Sequence, residues 1–237
     1  MENLFTDPFN ILLIAAFIGF FMAFGIGAND VANSMGTSVG ARALTIKQAI
    51  LIAAVFEFLG AFLAGGEVTS TIRKGIVDPN LYTDQVNIFV IGMMSALLAG
   101  GTWLYIASLR GWPVSTTHSI VGAIIGFVLI TKGVDAVSWG KVSNIAMSWV
   151  TSPLFSGILA FSLYISAKKL ILDRANPGKA AITFIPFYSF LVAVVISLVT
   201  ARKGLKHVGI EWTENEVYLF TLIFSIIVAI GTSYFLR

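Results

Sequence analysis

The chain has 237 residues, 57% of them hydrophobic and 11% charged, with a formal net charge of +3 and no cysteine. An ordinary soluble domain is about 25% charged, so this composition excludes that class and identifies an integral membrane protein. The lack of cysteine excludes disulfides and thiolate metal sites. Lys and Arg fall in short loops, as topology signals do, which leaves a nucleic-acid partner without support.

Apolar runs of about twenty residues fit helices across roughly 30 Å of hydrocarbon, not the alternating segments of a membrane barrel. The expected fold is all-α, a polytopic transmembrane helical bundle with broken or re-entrant helices. Residues 1–237 read as one transmembrane domain of about six to seven membrane segments.

The first span covers about Phe9 to Gly27 and lacks the basic start of a signal peptide, so it is expected to be retained. It runs into Gly25-Ile26-Gly27-Ala28-Asn29-Asp30-Val31-Ala32-Asn33-Ser34. Gly25, Gly27, Gly36 and Gly40 loosen a helix, and the economical reading is one broken at the motif. A second span runs from about Gln48 to Gly65 with Glu57 near its middle, and the polar stretch Gly66 to Gln85 reads as an aqueous loop. The third span, about Val86 to Ser108, ends beside Trp103 and Tyr105, aromatics typical of the membrane interface.

Then comes Arg110-Gly111-Trp112-Pro113-Val114-Ser115-Thr116-Thr117-His118-Ser119, followed by the apolar run Ile120 to Ile130. That run alone, about eleven residues, is too short to cross. Either the Ser/Thr stretch enters the membrane with it or the segment is a re-entrant half-helix. Val142 to Leu172 is long enough for a span, and Pro153 is expected to kink or break it. Lys168, Lys169, Arg174 and Lys179 outweigh Asp173 and mark the next connection as cytoplasmic. A span from about Phe184 to Ala201 leads to Arg202-Lys203-Gly204-Leu205-Lys206-His207, and an acidic loop, Glu211 to Glu216, precedes the last span, about Val217 to Leu236. With seven crossings, Lys and Arg divide at about seven to each side, so the charge rule does not orient the chain.

Asp30 carries a charge at a depth where an ionisable group costs roughly 2.5 to 3.5 kcal/mol, and such groups mark function. On a helix, Asn29, Asn33, Asp30 and Ser34 fall at about 0°, 40°, 100° and 140°. One face then gathers carboxamide and hydroxyl oxygens around a carboxylate, a set suited to a hard monovalent cation. The bland alternative is that Asn and Ser bond neighbouring helices as polar glue. In the second constellation, Ser115 or Thr116 can cap a helix that starts after Pro113, presenting free N–H groups, a positive dipole end and hydroxyls to an anion. Its alternative is an ordinary capped helix start. An anion such as phosphate beside Asp30 meets repulsion of about 3 kcal/mol per unit charge at roughly 6 Å and an effective dielectric near 20. A cation between them reverses the sign, and linkage makes the two ligands cooperative, the thermodynamic basis of symport. Na⁺ explains the amides and hydroxyls better than a proton, which needs Asp30 alone. Glu57 and His118 are candidates for coupling or proton transfer, with a hydrogen-bonded glutamic acid and a packing histidine as the alternatives.

At these residues the chain resembles the inorganic phosphate transporter (PiT) family of secondary carriers. The resemblance rests on Gly27-Ala28-Asn29-Asp30-Val31-Ala32-Asn33-Ser34, on Pro113-Val114-Ser115-Thr116-Thr117-His118, and on their order and separation. It implies import of inorganic phosphate with Na⁺ or H⁺ by a non-enzymatic carrier without cofactor; some relatives carry sulfate. It implies phosphate binding at Asp30, Ser115, Thr116 and Thr117, and cation binding at Asn29, Asp30, Asn33, Ser34, Ser115 and Thr116, with Na⁺ held at Asn29, Asp30 and Asn33. It further implies that Glu57 is the family's intramembrane glutamate required for transport. The setting expected is the plasma (inner) membrane. Members of the family contain two inverted copies of this unit, whereas this chain has a single signature and resembles the N-terminal repeat. A second repeat or another chain is expected to complete the site, and an antiparallel homodimer is compatible with the even Lys and Arg count. A non-transporting membrane subunit is the competing reading. An intramembrane enzyme using Ser115 and His118 lacks a positioned base and orienter.

Overall fold

Seven α-helices account for most of the described residues. The computed structural model describes residues 7–204, 209–210 and 212–237, with the side chains of 64–75 and 203 left aside. Helix α1, Pro8–Gly40, begins where the Asp7 carboxylate accepts the Phe9 N–H at 3.0 Å and Pro8 occupies the first turn. It runs unbroken through the polar motif for 33 residues, about 50 Å. The expected break at Gly25 to Gly40 is therefore corrected. Glycine there serves close approach: a Cβ on Gly25 would lie 3.2 Å from the Leu104 Cβ, and one on Gly101 would lie 3.1 Å from the Met22 Cα. An unbroken helix also satisfies its own backbone groups in hydrocarbon, which a break does not. The helix stops at Arg42, whose φ of 59° lies in the left-handed region.

Helix α2, Ile46–Gly75, opens on a capping box in which Thr45 and Gln48 exchange hydrogen bonds. Its apolar window is Ile46–Leu63, yet the helix continues ten residues beyond the expected span end at Gly65. Polar side chains do not stop a helix, and the next proline is Pro79. Ile76 and Val77 are then buried, Val77 bridging to Val137 in isolated antiparallel fashion. A 3₁₀ segment, Pro79–Gln85, carries Tyr82, 1% exposed, against Phe89 and Phe127, with its hydroxyl 2.6 Å from that of Thr131.

Helix α3, Val86–Leu109, packs against α1 and also against α4, Thr116–Lys132. Its inward positions are small or medium, including Gly92, Ala96, Gly100, Gly101 and Ala107, which lets both neighbours approach. Helix α4 is 17 residues, about 25 Å, and ends at Gly133 with φ 84°. The sequence expectation of a short helix headed by the Ser/Thr stretch matches this element.

Helix α5, Trp139–Ala167, passes through Pro153 without interruption and ends in a π turn, Lys168–Leu172. The expected break at Pro153 is absent; the flanking turns hold the helix across the one missing donor. Helix α6, Pro177–Val199, capped by Asn176, ends in a second π turn, Thr200–Gly204. Helix α7, Glu214–Phe235, begins at a Thr213–Glu216 capping box, so Glu214 and Glu216 of the expected acidic loop are helical. Residues 205–208 and Glu211 of the expected connection lie outside the described residues. Helices α6 and α7 pack along Ala193, Ser197 and Ala201 facing Val217, Thr221 and Ser225. Arg202 binds Glu214 and, at 2.7 Å, the Tyr218 hydroxyl.

Among the described residues six helices are long and apolar enough to span a membrane, and α4 is a shorter apolar one. Large side chains such as Phe17, Phe20, Phe155 and Phe161 are exposed along them, a surface that water does not tolerate at this extent. By internal contacts the chain forms two units, Met1–Phe58 with Ser70–Val142, and Leu59–Thr69 with Ser143–Arg237. The candidate site lies in the first.

Candidate functional site

The two polar constellations meet where the middle of α1 faces the head of α4. The Thr116 hydroxyl donates to Asp30 Oδ2 at 3.0 Å, joining residues that are 86 apart in sequence. Asp30 is the sole charged residue of α1. Ser115 is the N-cap of α4: its Oγ accepts the His118 N–H at 3.3 Å, and its carbonyl accepts the Ser119 N–H at 3.1 Å. The N–H groups of Thr116 and Thr117, at the first two helical positions, have no acceptor among the described residues. Free donors at a helix start carry partial positive charge and suit an oxyanion.

Asn29 is 4% exposed and held from four directions. Its Nδ2 donates to the Trp112 carbonyl at 3.0 Å and lies 3.5 Å from Ser108 Oγ. Its Oδ1 accepts the Val114 N–H at 3.4 Å and the Asn33 amide at 3.3 Å. The segment 112–114, which carries the chain from α3 into α4, is thus fastened to α1. Trp112 is further packed by Trp103 and by Arg110 over its ring.

Of the residues singled out in the sequence, Asn29 is paired with Asn33, and Asp30 with Thr116. Ser34 turns its hydroxyl back to the Asp30 carbonyl at 2.8 Å, within its own helix. Ser115 serves as the cap, and Thr117 and His118 stand exposed on the first turn of α4. Glu57 projects from α2 toward α1: its Oε2 lies 3.8 Å from where a Cβ on Gly27 would sit, three residues before Asp30. It edges a groove of about 760 Å³ between α1 and α2 whose walls are otherwise apolar, with Gly27, Ala28, Ala32, Ala49 and Ala53 among them. Asp30 does not line that groove. Sequence reasoning missed Ser108 and the main-chain groups of Trp112 and Val114. The only signal for Ser108 was a hydroxyl at the end of an apolar run, and main-chain partners leave no signal in residue type.

Among the described residues no group of three or more His, Asp or Glu could hold a metal ion. The available donors are one carboxyl, carboxamides, hydroxyls and carbonyls. Such a set matches a weakly held monovalent cation better than a resident transition metal.

A model of the phosphate transporter family matches residues 26–233. A putative phosphate permease of Haemophilus influenzae is 51% identical over 214 residues, covering 90% of this chain and 51% of that protein. The inorganic phosphate transporter 2-1, chloroplastic, of Arabidopsis thaliana is 48% identical over 179 residues, 76% of this chain and 30% of its own length. A solved structure, the sodium-dependent phosphate transporter, superimposes with a TM-score of 0.88 at 41% identity, over 96% of this chain and 55% of that one. The chain spans about half the length of the first of these relatives and of that structure, and less of the chloroplast protein.

Proposed function

Because the chain belongs to the phosphate transporter family, a family of membrane carriers and not of enzymes, we propose that it imports inorganic phosphate together with Na⁺ by alternating access. The observation that carries this reading is the Thr116–Asp30 hydrogen bond, which sets a helix head suited to an oxyanion against the one acidic group of α1. In this reading phosphate binds at Ser115, Thr116 and Thr117, at the free N–H groups of α4, and shares Asp30 with the cation. Na⁺ lies at Asp30 with Asn33, Ser34 and Ser115 nearby. Glu57, which reaches from α2 to Gly27 on α1, one turn before Asp30, and His118 serve coupling. A cation at Asp30 offsets the repulsion between the carboxylate and phosphate, so each ligand raises the affinity of the other.

Labelled phosphate uptake into liposomes carrying the protein is the test, with Na⁺ and pH gradients imposed separately. The expected outcome is uptake that follows the Na⁺ gradient and is competed by phosphate analogues better than by sulfate. Uptake that follows only the pH gradient would establish the proton-coupled alternative, and preferential competition by sulfate a sulfate carrier.

A second reading is favoured by length. The chain matches about half of its bacterial relative, so a second, inverted repeat or another chain would complete the pathway, and the chain alone would then be a non-transporting half-unit. A homodimer, antiparallel in orientation, is one way to supply that half. The proposed setting is the plasma (inner) membrane.

A further inference from the structure

The carboxamide of Asn29 is the least exposed polar group of the α1 motif and has no hydrogen-bonding capacity left over. A carboxamide has two N–H donors and two acceptor lone pairs. Here the donors meet the Trp112 carbonyl and Ser108 Oγ, and the oxygen meets the N–H of Val114 and of Asn33. The orientation of the amide is fixed by chemistry: the Trp112 carbonyl can only accept and the Val114 N–H can only donate, so Nδ2 and Oδ1 cannot be exchanged. The two main-chain partners flank Pro113, whose nitrogen has no hydrogen to contribute. Successive residues of extended backbone point their polar groups to alternate sides, so the carbonyl before a residue and the N–H after it share a side. One carboxamide can span both, as a neighbouring strand would.

We propose that Asn29 is a positioning residue and not a ligand of the coupling ion: it locks the Trp112–Val114 segment to α1 and so sets the head of α4 at bonding distance from Asp30. This inference rests on reading Asp30 and the head of α4 as the transport site. Asn29 acts on phosphate through Thr116, and the ion sees it only at second hand. The chain returns to helix two residues after Val114, so a displacement of that N–H passes directly into Ser115 and Thr116.

The experiment compares Asn29→Ala with Asn29→Ser in the full chain. Ser keeps an oxygen able to ligate Na⁺ but is too short to reach both sides of Pro113. Positioning predicts that both variants behave alike. Apparent phosphate affinity falls about tenfold, the Na⁺ dependence at saturating phosphate stays within about twofold, and segment 110–119 takes up deuterium faster in the ligand-free protein. Combined with Thr116→Val, either variant loses less than the product of the separate losses, since both act through one contact. Rescue by Ser but not Ala, a selective loss of Na⁺ affinity, or unchanged deuterium uptake would overturn the proposal. If the wild-type protein binds no phosphate, the transport reading fails, while the deuterium comparison still decides whether Asn29 holds the segment.

Discussion

At the scale of single side chains, the proposed chemistry rests on the hydrogen-bonded pair Asp30 and Thr116. Asp30→Asn keeps the shape and an oxygen that can accept the Thr116 hydroxyl, but removes the charge. Cation-dependent phosphate uptake is expected to fall at least about tenfold with membrane insertion intact, a modest figure for a charge-assisted contact. Uptake and Na⁺ dependence that both survive would remove Asp30 from the centre of the site. Thr116→Val removes the hydroxyl while keeping the volume. Titration calorimetry should show phosphate binding weakened more than Na⁺ binding, and an equal loss would point to a purely structural role. The pairing of these residues was legible in the sequence, because an acid in hydrocarbon and a hydroxyl cluster ahead of an apolar run are both conspicuous by residue type. The partners of Asn29 were not, since two of them are a carbonyl and an N–H that any residue carries. The partner of Ser34 was not legible for a related reason: a hydroxyl on a helix can donate to the carbonyl four residues back, as it does to Asp30, and its type does not say which way it turns.

The start of α4 at Ser115 was legible through chemistry local to a few residues. Asp7 before Pro8 and Asn176 before Pro177 cap their helices in the same local way, but hydropathy placed the last of these starts later, at about Phe184. Glycine is ambiguous because it serves both a break and a close crossing, and only the partner helix decides between them. Gly25 and Gly101 face each other across α1 and α3, where a Cβ on Gly101 would lie 3.0 Å from Phe21 Cδ1 and 3.1 Å from the backbone of Met22. Gly101→Val should therefore separate α1 from α3 and cost about 1 to 3 kcal/mol by overpacking. Thermal unfolding in detergent measures the loss. Because α3 also carries α4, weakened phosphate binding is expected in the same variant. An unshifted unfolding temperature would mean that the α1–α3 crossing tolerates more room than its distances suggest. The polar end of α2 was misread for a different reason: composition marks where a helix leaves hydrocarbon and not where it stops being a helix.

For the molecule as a whole, hydropathy conveyed the all-helical membrane fold, because the length and apolar character of each span are properties of composition alone. Orientation was not legible, since Lys and Arg divide evenly and a half-helix changes the parity of crossings. The match to about half of its bacterial relative makes a definite expectation. In cells lacking phosphate uptake, this chain supplied with a separate chain matching the remainder of such a relative should restore uptake more than either chain alone. Equal uptake by this chain alone would show that it, or its own oligomer, already holds a complete pathway. The Thr116 hydroxyl brings a consequence in time. A hydroxyl has a single hydrogen to give, and here it points at Asp30. In the proposed mechanism, phosphate reaching the head of α4 first would find the free N–H groups but also the lone pairs of the Thr116 and Asp30 oxygens; once a cation had drawn the lone pairs of Asp30, the hydroxyl would be free to swing round and donate to phosphate. Loading would then have an order, cation before anion, with the rotation of one side chain as the gate between the two events.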